Sequence, residues 1–181
     1  MTDKPNDLLL TAGKVLTILM QVIIAIGAAA LLIAIPAILF NIGKINVELA
    51  SEFGGSLDEF PTAVTTGLML LALTMLGLAF LFFDRLRTII GTVGKGDPFD
   101  PINADRLSMM AWLLLGIQVL ALPAAGLGLM IAKWAEPISH EGMNVDFELD
   151  FSGVLMVITL FILARVFKHG AAMREDLEGT V

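Results

Sequence analysis

Four long apolar stretches, separated by short polar segments, dominate the pattern along the chain. They cover residues 15–40, 62–83, 107–132 and 151–167. A helix that crosses the hydrocarbon core of a bilayer needs about 20 predominantly apolar residues. The fourth stretch meets that length when its helix continues through Arg165, whose long side chain can reach the lipid head groups. The pattern therefore predicts an all-α membrane protein with four transmembrane helices.

The segment after the second apolar stretch predicts a helix that outruns the membrane. Apolar residues continue at helical spacing from Leu86 to Val93, which favours two or three further turns. The glycine- and proline-containing residues 94–99 then break the helix. Asp100 followed by Pro101 is a good N-cap and first-turn pair for the third helix. We likewise expect the fourth helix to continue past Gly170 to about Asp176.

Lysine and arginine lie mainly on one side of the predicted membrane. The N-terminal segment, the connection 84–106 and the end of the chain from Arg165 through the tail 168–181 hold nine of them, whereas the connections 41–61 and 133–150 hold one lysine each. Basic residues accumulate on the cytoplasmic side of membrane proteins. We therefore predict a multi-pass protein of the cell (inner) membrane, with both termini and the turn 84–106 in the cytoplasm and the two lysine-poor connections outside.

Each outer connection contains a short alternating pattern. Apolar and polar residues alternate from Met143 to Phe151 and again from Ile45 to Leu49. Alternation with period two is typical of a half-buried strand. Either the two segments pair into a small two-stranded sheet, or they lie unpaired on the head groups as acidic loops.

Composition and charge sharpen this picture. The chain is 57% hydrophobic and 16% charged, against about 45–50% and 25% in soluble domains. The two outer connections carry nine acidic residues and two lysines, which accounts for the whole formal net charge of −7. The inner face is charge-balanced rather than basic, so we expect no direct binding to nucleic acid.

Few residues in the sequence point to catalysis. There is no cysteine, and the two histidines, His140 and His169, are far apart in the chain. We therefore predict no cofactor, no metal centre and no enzymatic activity. Gln21 and Gln118 are the strongly polar side chains inside the spans, where such groups usually bond across helices. The alternative is that they line the polar path of a small transporter or channel component.

Two short motifs in the cytoplasmic segments resemble those of the domain-of-unknown-function 2975 family of small prokaryotic membrane proteins. The first is Gly-Asp-Pro-Phe followed by Asn-Ala-Asp-Arg-Leu, and the second is Arg-Val-Phe-Lys-His-Gly followed by a tail that ends in Thr-Val. The residues that carry the resemblance are Gly96, Pro98, Phe99, Asn103, Arg106, Leu107, Arg165, Phe167, Gly170, Glu175, Thr180 and Val181.

The resemblance implies a four-helix membrane protein whose activity is not established. It also implies an association with a small helix-turn-helix regulator, and hence a regulatory or sequestering role. Both motifs fall on the predicted cytoplasmic side, where Pro98 would fix the turn and Phe99 would tuck against the helices. Arg106 and Arg165 would anchor to lipid phosphate or to acidic residues of the tail. If the two motifs meet, they form one surface at the lipid bilayer, and that surface is where we expect a partner to bind.

Overall fold

The computed structural model describes residues 8–53, 59–137 and 151–178, with side chains up to residue 176 in the last range. Within these ranges the chain forms four helices: α1 (Leu8–Phe53), α2 (Thr62–Val93), α3 (Pro101–Ala135) and α4 (Phe151–Glu178). Each helix is long and apolar enough to cross a membrane. The predicted all-α architecture with four candidate transmembrane helices is therefore confirmed.

Three of the predicted helix limits are confirmed, and one is wrong. α2 ends at Val93, α3 begins at Pro101, and α4 continues well past Gly170. In contrast, α1 extends through residues 41–53, which the sequence pattern assigned to an outer connection. A single glycine, Gly43, does not stop this helix, since an isolated glycine lowers helix stability by only about 1 kcal/mol.

The strand predicted from Ile45 to Leu49 is wrong, because these residues belong to α1. Five alternating residues are too few to override a helix that already runs into them. Within this part of α1, Oδ1 of Asn46 accepts a hydrogen bond from the backbone N–H of Phe60 at 3.1 Å, which links α1 to the segment before α2. Residues 138–150, which hold nearly all of the second predicted strand, lie outside the described residues, and Phe151 begins α4. The described residues contain no strand.

The contacts within the chain divide it into two units. The first unit lies within Met1–Ala25, Leu78–Gln118 and Asp150–Val181. Its core combines side chains of α2, α3 and α4, namely Ile89, Leu107, Met110, Ala111, Leu160 and Ala164. This unit contains both family-like motifs.

Small residues bring α3 and α4 close together in the first unit. On α4 the buried positions Val157, Leu160, Ala164 and Ala171 fall at spacings of three, four and seven residues. That is the spacing of a helix that presents one continuous seam to its neighbours. Ala111 on α3 is fully buried. Alanine at such positions lets helix backbones approach closely, which favours helix association in membranes.

α1 contributes a partly polar face to the first unit. Thr17, Gln21 and Ile24 are its buried residues and lie on one side of the helix. The Thr17 hydroxyl donates to the backbone oxygen of Lys14 at 2.9 Å, so its polarity is satisfied within α1. A Cβ built on Gly13 would lie 3.3 Å from Cδ1 of Ile90, so α1 runs close to α2.

The second unit lies within Ile26–Gly77 and Val119–Leu149. Gly67 on α2 lies against Leu127 on α3, with 3.4 Å between a built Cβ and Cδ1 of the leucine. The Phe60 ring contacts the Trp134 ring edge to face at a centroid distance of 5.4 Å. The aromatic pair closes the end of this unit, where the Phe60 backbone is also bonded to Asn46.

Candidate functional site

The candidate site begins at the C-terminus of α2, which ends in a Schellman motif. The backbone N–H of Gly96 donates to the oxygen of Val93 at 3.0 Å, and that of Asp97 donates to the oxygen of Thr92 at 3.2 Å. These are the two bonds that define the motif. Gly96 has a φ of 85°, a left-handed conformation in which a side chain would be strained. The glycine is therefore required by the backbone, and it turns the chain towards α3.

Asn103 holds the turn to both helices from a fully buried position. Its Nδ2 donates to the Thr92 hydroxyl at 2.8 Å and to the Pro98 backbone oxygen at 3.1 Å. The Thr92 hydroxyl in turn donates to the backbone oxygen of Ile89 at 2.8 Å. One amide group thus links the last turn of α2, the connecting turn and the first turn of α3.

Arg106 fixes the other end of the same amide. Its Nη1 donates to Oδ1 of Asn103 at 2.9 Å. A guanidinium group can only donate and the Pro98 carbonyl can only accept, so a single orientation of the Asn103 amide satisfies both. Among the described side chains, the Arg106 guanidinium bonds to Asn103 of its own helix and not to an acid of the tail, and its anchoring to lipid phosphate stays a prediction.

Phe99 projects from the turn and lies on α4. Its ring centroid is 5.5 Å from that of Phe167, with the ring planes tilted by 41°. A Cβ built on Gly170 would lie 2.8 Å from Cδ1 and Cε1 of Phe99, closer than van der Waals contact allows. The Phe99 ring therefore packs directly against Gly170. Phe99 still exposes 42% of its surface.

A second contact joins the turn to α4 farther along that helix. The carboxylate of Asp97 accepts a hydrogen bond from Nη1 of Arg174 in an ion pair. Both side chains are about half exposed, so solvent screens the pair and its contribution to stability is small. Its role is to hold α4 in register with the turn. The two family-like motifs therefore meet within the described residues.

The acidic residues of the turn already have structural roles. Asp97 is paired with Arg174, and Oδ1 of Asp100 accepts a hydrogen bond from the backbone N–H of Ile102 at 3.0 Å, capping α3. In the described ranges, no group of three or more histidine or acidic side chains is placed to hold a metal ion.

Two hollows flank α4 at this end of the first unit. The larger, which we call the groove, has a volume of about 880 Å³ and is lined by Phe99, Ile162, Arg165, Val166, Lys168, His169, Gly170, Ala172 and Met173. The smaller, which we call the crevice, has a volume of about 310 Å³ and is lined by Pro101, Ala104, Asp105, Lys168, Ala171, Ala172 and Glu175. The groove is mostly apolar with basic side chains, whereas the crevice carries charges of both signs.

The remaining predicted site residues are more dispersed. Leu107 is a core residue, and Arg165 is exposed on α4. Gln21 is buried on α1, and Gln118 is half-buried and already interacts with another group. Thr180 and Val181 lie outside the described residues.

Two residues of the site were not predicted from the sequence. Thr92 was read only as a polar position on α2, and Arg174 only as one basic residue of the tail. For Thr92 the available signal was its position five residues before Asp97, which is the spacing that a Schellman motif brings together. No local pattern could pair Arg174 with Asp97, since 77 residues separate them.

Comparison with known families assigns most of the chain. The model of the family described as "Protein of unknown function (DUF2975)" matches residues 48–181. The chain belongs to this family. The match includes the α2–α3 turn and all of α4, so every residue of the groove and the crevice lies inside it. A search of curated proteins and a search of solved structures found no significant match. Together with the four apolar helices, membership identifies a multi-pass membrane protein.

The close approach of Phe99 to Gly170 gives a test of the site. We expect Gly170→Ala to have a lower thermal unfolding midpoint in detergent than Gly91→Ala, because both gain about 1 kcal/mol of helix propensity but only Gly170→Ala is overpacked, at a cost of about 1–3 kcal/mol. Gly91→Ala is the matched control, since nothing lies within 4 Å of a Cβ built there. Adding Phe99→Ala should remove the penalty of Gly170→Ala. Equal midpoints for the two glycine variants would contradict this packing.

The bonding of Asn103 gives a second test. Asn103→Asp removes both Nδ2 donors and leaves the Pro98 carbonyl and the Thr92 hydroxyl without them. We expect the free energy of unfolding to fall by about 1–3 kcal/mol, the range for unsatisfied buried polar groups. The control is Asn41→Asp, because Nδ2 of Asn41 donates to the Ala37 oxygen at an exposed position. Denaturant unfolding in detergent micelles measures both, and equal losses would rule out a special role for Asn103.

Proposed function

We propose that this membrane protein is not an enzyme and that its α2–α3 turn and α4 form a docking surface for a cytoplasmic protein. The observation that carries the proposal is the double attachment of the turn to α4, through Phe99 on Gly170 and through Asp97 with Arg174. A surface held at two points is pre-organised, which lowers the entropy lost on binding. The same surface includes the residues by which the chain resembles its family.

The crevice between α3 and α4 supplies the chemistry for a protein partner. Asp105 and Glu175 are exposed acids that line it, and Lys168 lies on the α4 side. The floor is formed by the buried residues Ala104 and Ala171. Two carboxylates around a small apolar floor suit an arginine or lysine side chain, because its stem can pack while its charged end pairs.

The partner class that we propose is a small helix-turn-helix regulator. Such proteins contact DNA through basic side chains, and a regulator whose basic residues are engaged by Asp105 and Glu175 cannot use them on DNA. The membrane protein would then sequester the regulator at the bilayer. This proposal requires the crevice to face the cytoplasm, with both termini on that side of the cell membrane.

The alternative function, a small transporter or channel component, has less support. It would need a polar path through the helices, and the candidates were Gln21 and Gln118. Gln21 lies on the same buried face of α1 as Thr17 and Ile24, which is typical of a helix contact.

The proposed orientation can be measured with single cysteines, because the chain has none of its own. Lys95→Cys lies in the α2–α3 turn and Lys133→Cys near the end of α3, and both positions are exposed. In intact cells, we expect a membrane-impermeant maleimide to label Lys133→Cys only. After lysis it should label both. Labelling of Lys95→Cys in intact cells would contradict the cytoplasmic turn and, with it, the proposed function.

The partner can be identified by photocrosslinking in living cells of the native host. A photoreactive phenylalanine analogue replaces Pro101, which lines the crevice, and in the control it replaces Lys95, which is exposed at the same end but lines neither hollow. We expect a helix-turn-helix protein to be crosslinked at position 101 and not at position 95. Charge reversal by Glu175→Lys should reduce that product several-fold.

Two outcomes would contradict the docking proposal. One is a crosslink pattern at position 101 that contains no protein other than the chain itself. The other is a regulator crosslinked equally at positions 101 and 95, which would indicate proximity without the crevice.

A further inference from the structure

The groove, which lies next to the crevice on α4, has a charge pattern that the docking proposal does not use. Three basic residues, Arg165, Lys168 and His169, line it, and no acidic residue does. The rest of its lining is apolar, and Ile162 and Val166 each expose more than half of their surface. A site that combines one sign of charge with an open apolar wall fits a ligand that has an anionic end and an apolar end.

The depth of the groove along α4 places it at a membrane boundary. α4 begins at Phe151, and about 20 helical residues at 1.5 Å each span a hydrocarbon core of about 30 Å. Counting from Phe151, that distance ends near Gly170. Lys168 and His169 then lie at the level of the lipid phosphates, and Arg165 reaches it by extending its side chain. Ile162 and Val166 lie at the level of the acyl chains.

We propose that the groove is a binding site for an anionic phospholipid. The phosphate lies among Arg165, Lys168 and His169, and an acyl chain runs along Val166 and Ile162 into the membrane. Basic pockets at the cytoplasmic ends of membrane helices recognise anionic head groups in this way.

Phe99 forms the wall of the site that α4 cannot supply. Its ring packs against Gly170 and lines the groove together with the three basic residues. In the proposed site, the turn therefore encloses the phosphate from the side away from the membrane core. The two carboxylates that flank Phe99 in sequence do not line the groove: Asp97 is paired with Arg174, and Asp100 caps α3. The site thus depends on the same turn as the docking surface and lies beside the crevice, with which it shares Lys168 and Ala172, but it binds a different class of ligand.

The test measures stabilisation of the delipidated, detergent-solubilised full chain by added lipid. A ligand that binds only the folded state raises the unfolding midpoint according to its concentration relative to its Kd. We expect phosphatidylglycerol to raise the midpoint and phosphatidylcholine with the same acyl chains to raise it much less. The groove variant carries Arg165→Gln, Lys168→Gln and His169→Gln, and we expect its Kd for phosphatidylglycerol to rise by about tenfold or more.

A charge-matched control separates a site from general attraction. It carries Arg87→Gln and Lys95→Gln, which are exposed basic residues outside the groove and remove two formal positive charges, as the groove variant does when histidine is counted as neutral. We expect its Kd for phosphatidylglycerol to stay within about twofold of the wild-type value. Because the measurement is a shift relative to each variant's own lipid-free midpoint, a change in basal stability does not imitate the result. Inorganic phosphate is added in a separate arm and should not raise the midpoint.

Each other outcome overturns the proposal. Equal weakening in the groove variant and the control variant indicates diffuse electrostatics, and equal stabilisation by the two lipids indicates a general detergent effect. Stabilisation by inorganic phosphate alone to the same extent indicates an anion site without a lipid. An unchanged Kd in the groove variant shows that the lipid binds elsewhere on the chain. The crosslink at position 101 is measured without the groove variant, so the two proposals fail separately.

Discussion

The buried amide of Asn103 is the interaction on which the rest of the site depends. It is bonded to Thr92, to the Pro98 carbonyl and to Arg106, so the end of α2, the turn and the start of α3 share one side chain. A buried polar group is stable only when its hydrogen bonds are satisfied, and here every bond comes from a different part of the connection. The amide therefore determines where the turn lies. The position of the turn determines where the Phe99 ring contacts α4.

α4 contacts the turn through Gly170, which has no side chain. Any side chain at position 170 would collide with the Phe99 ring. Glycine at this position therefore allows the ring to pack against the backbone of α4. Ala164 and Ala171 on α4 are also small and buried, so they allow α4 to pack closely against α3. Close packing of this kind is sensitive to single methyl groups, and it gives the turn a rigid support.

Much of this architecture could be predicted from the sequence, because its signals are local. Length and hydropathy predict four membrane helices, and Asp100 with Pro101 predicts the start of α3. Local patterns failed where a longer-range constraint decided the outcome. Alternation from Ile45 to Leu49 indicated a strand, but these residues continue an established helix, and the pairing of Asp97 with Arg174 joins positions 77 residues apart. Motif resemblance, rather than physical pattern, pointed to the meeting of the turn and α4.

The exposed apolar surface of the helices explains why small residues and hydrogen bonds matter so much here. Side chains such as Ile33, Leu155 and Ile162 each expose more than half of their surface, and in a bilayer they face lipid. Lipid tails are as apolar as these side chains, so burying them against another helix gains little hydrophobic free energy. Association must then come from close packing, as at Ala111, and from satisfied polar contacts, as at Asn103. In this unit, the hydrogen bonds of Asn103 and the close packing at Gly170 therefore support the turn on which both proposed sites depend.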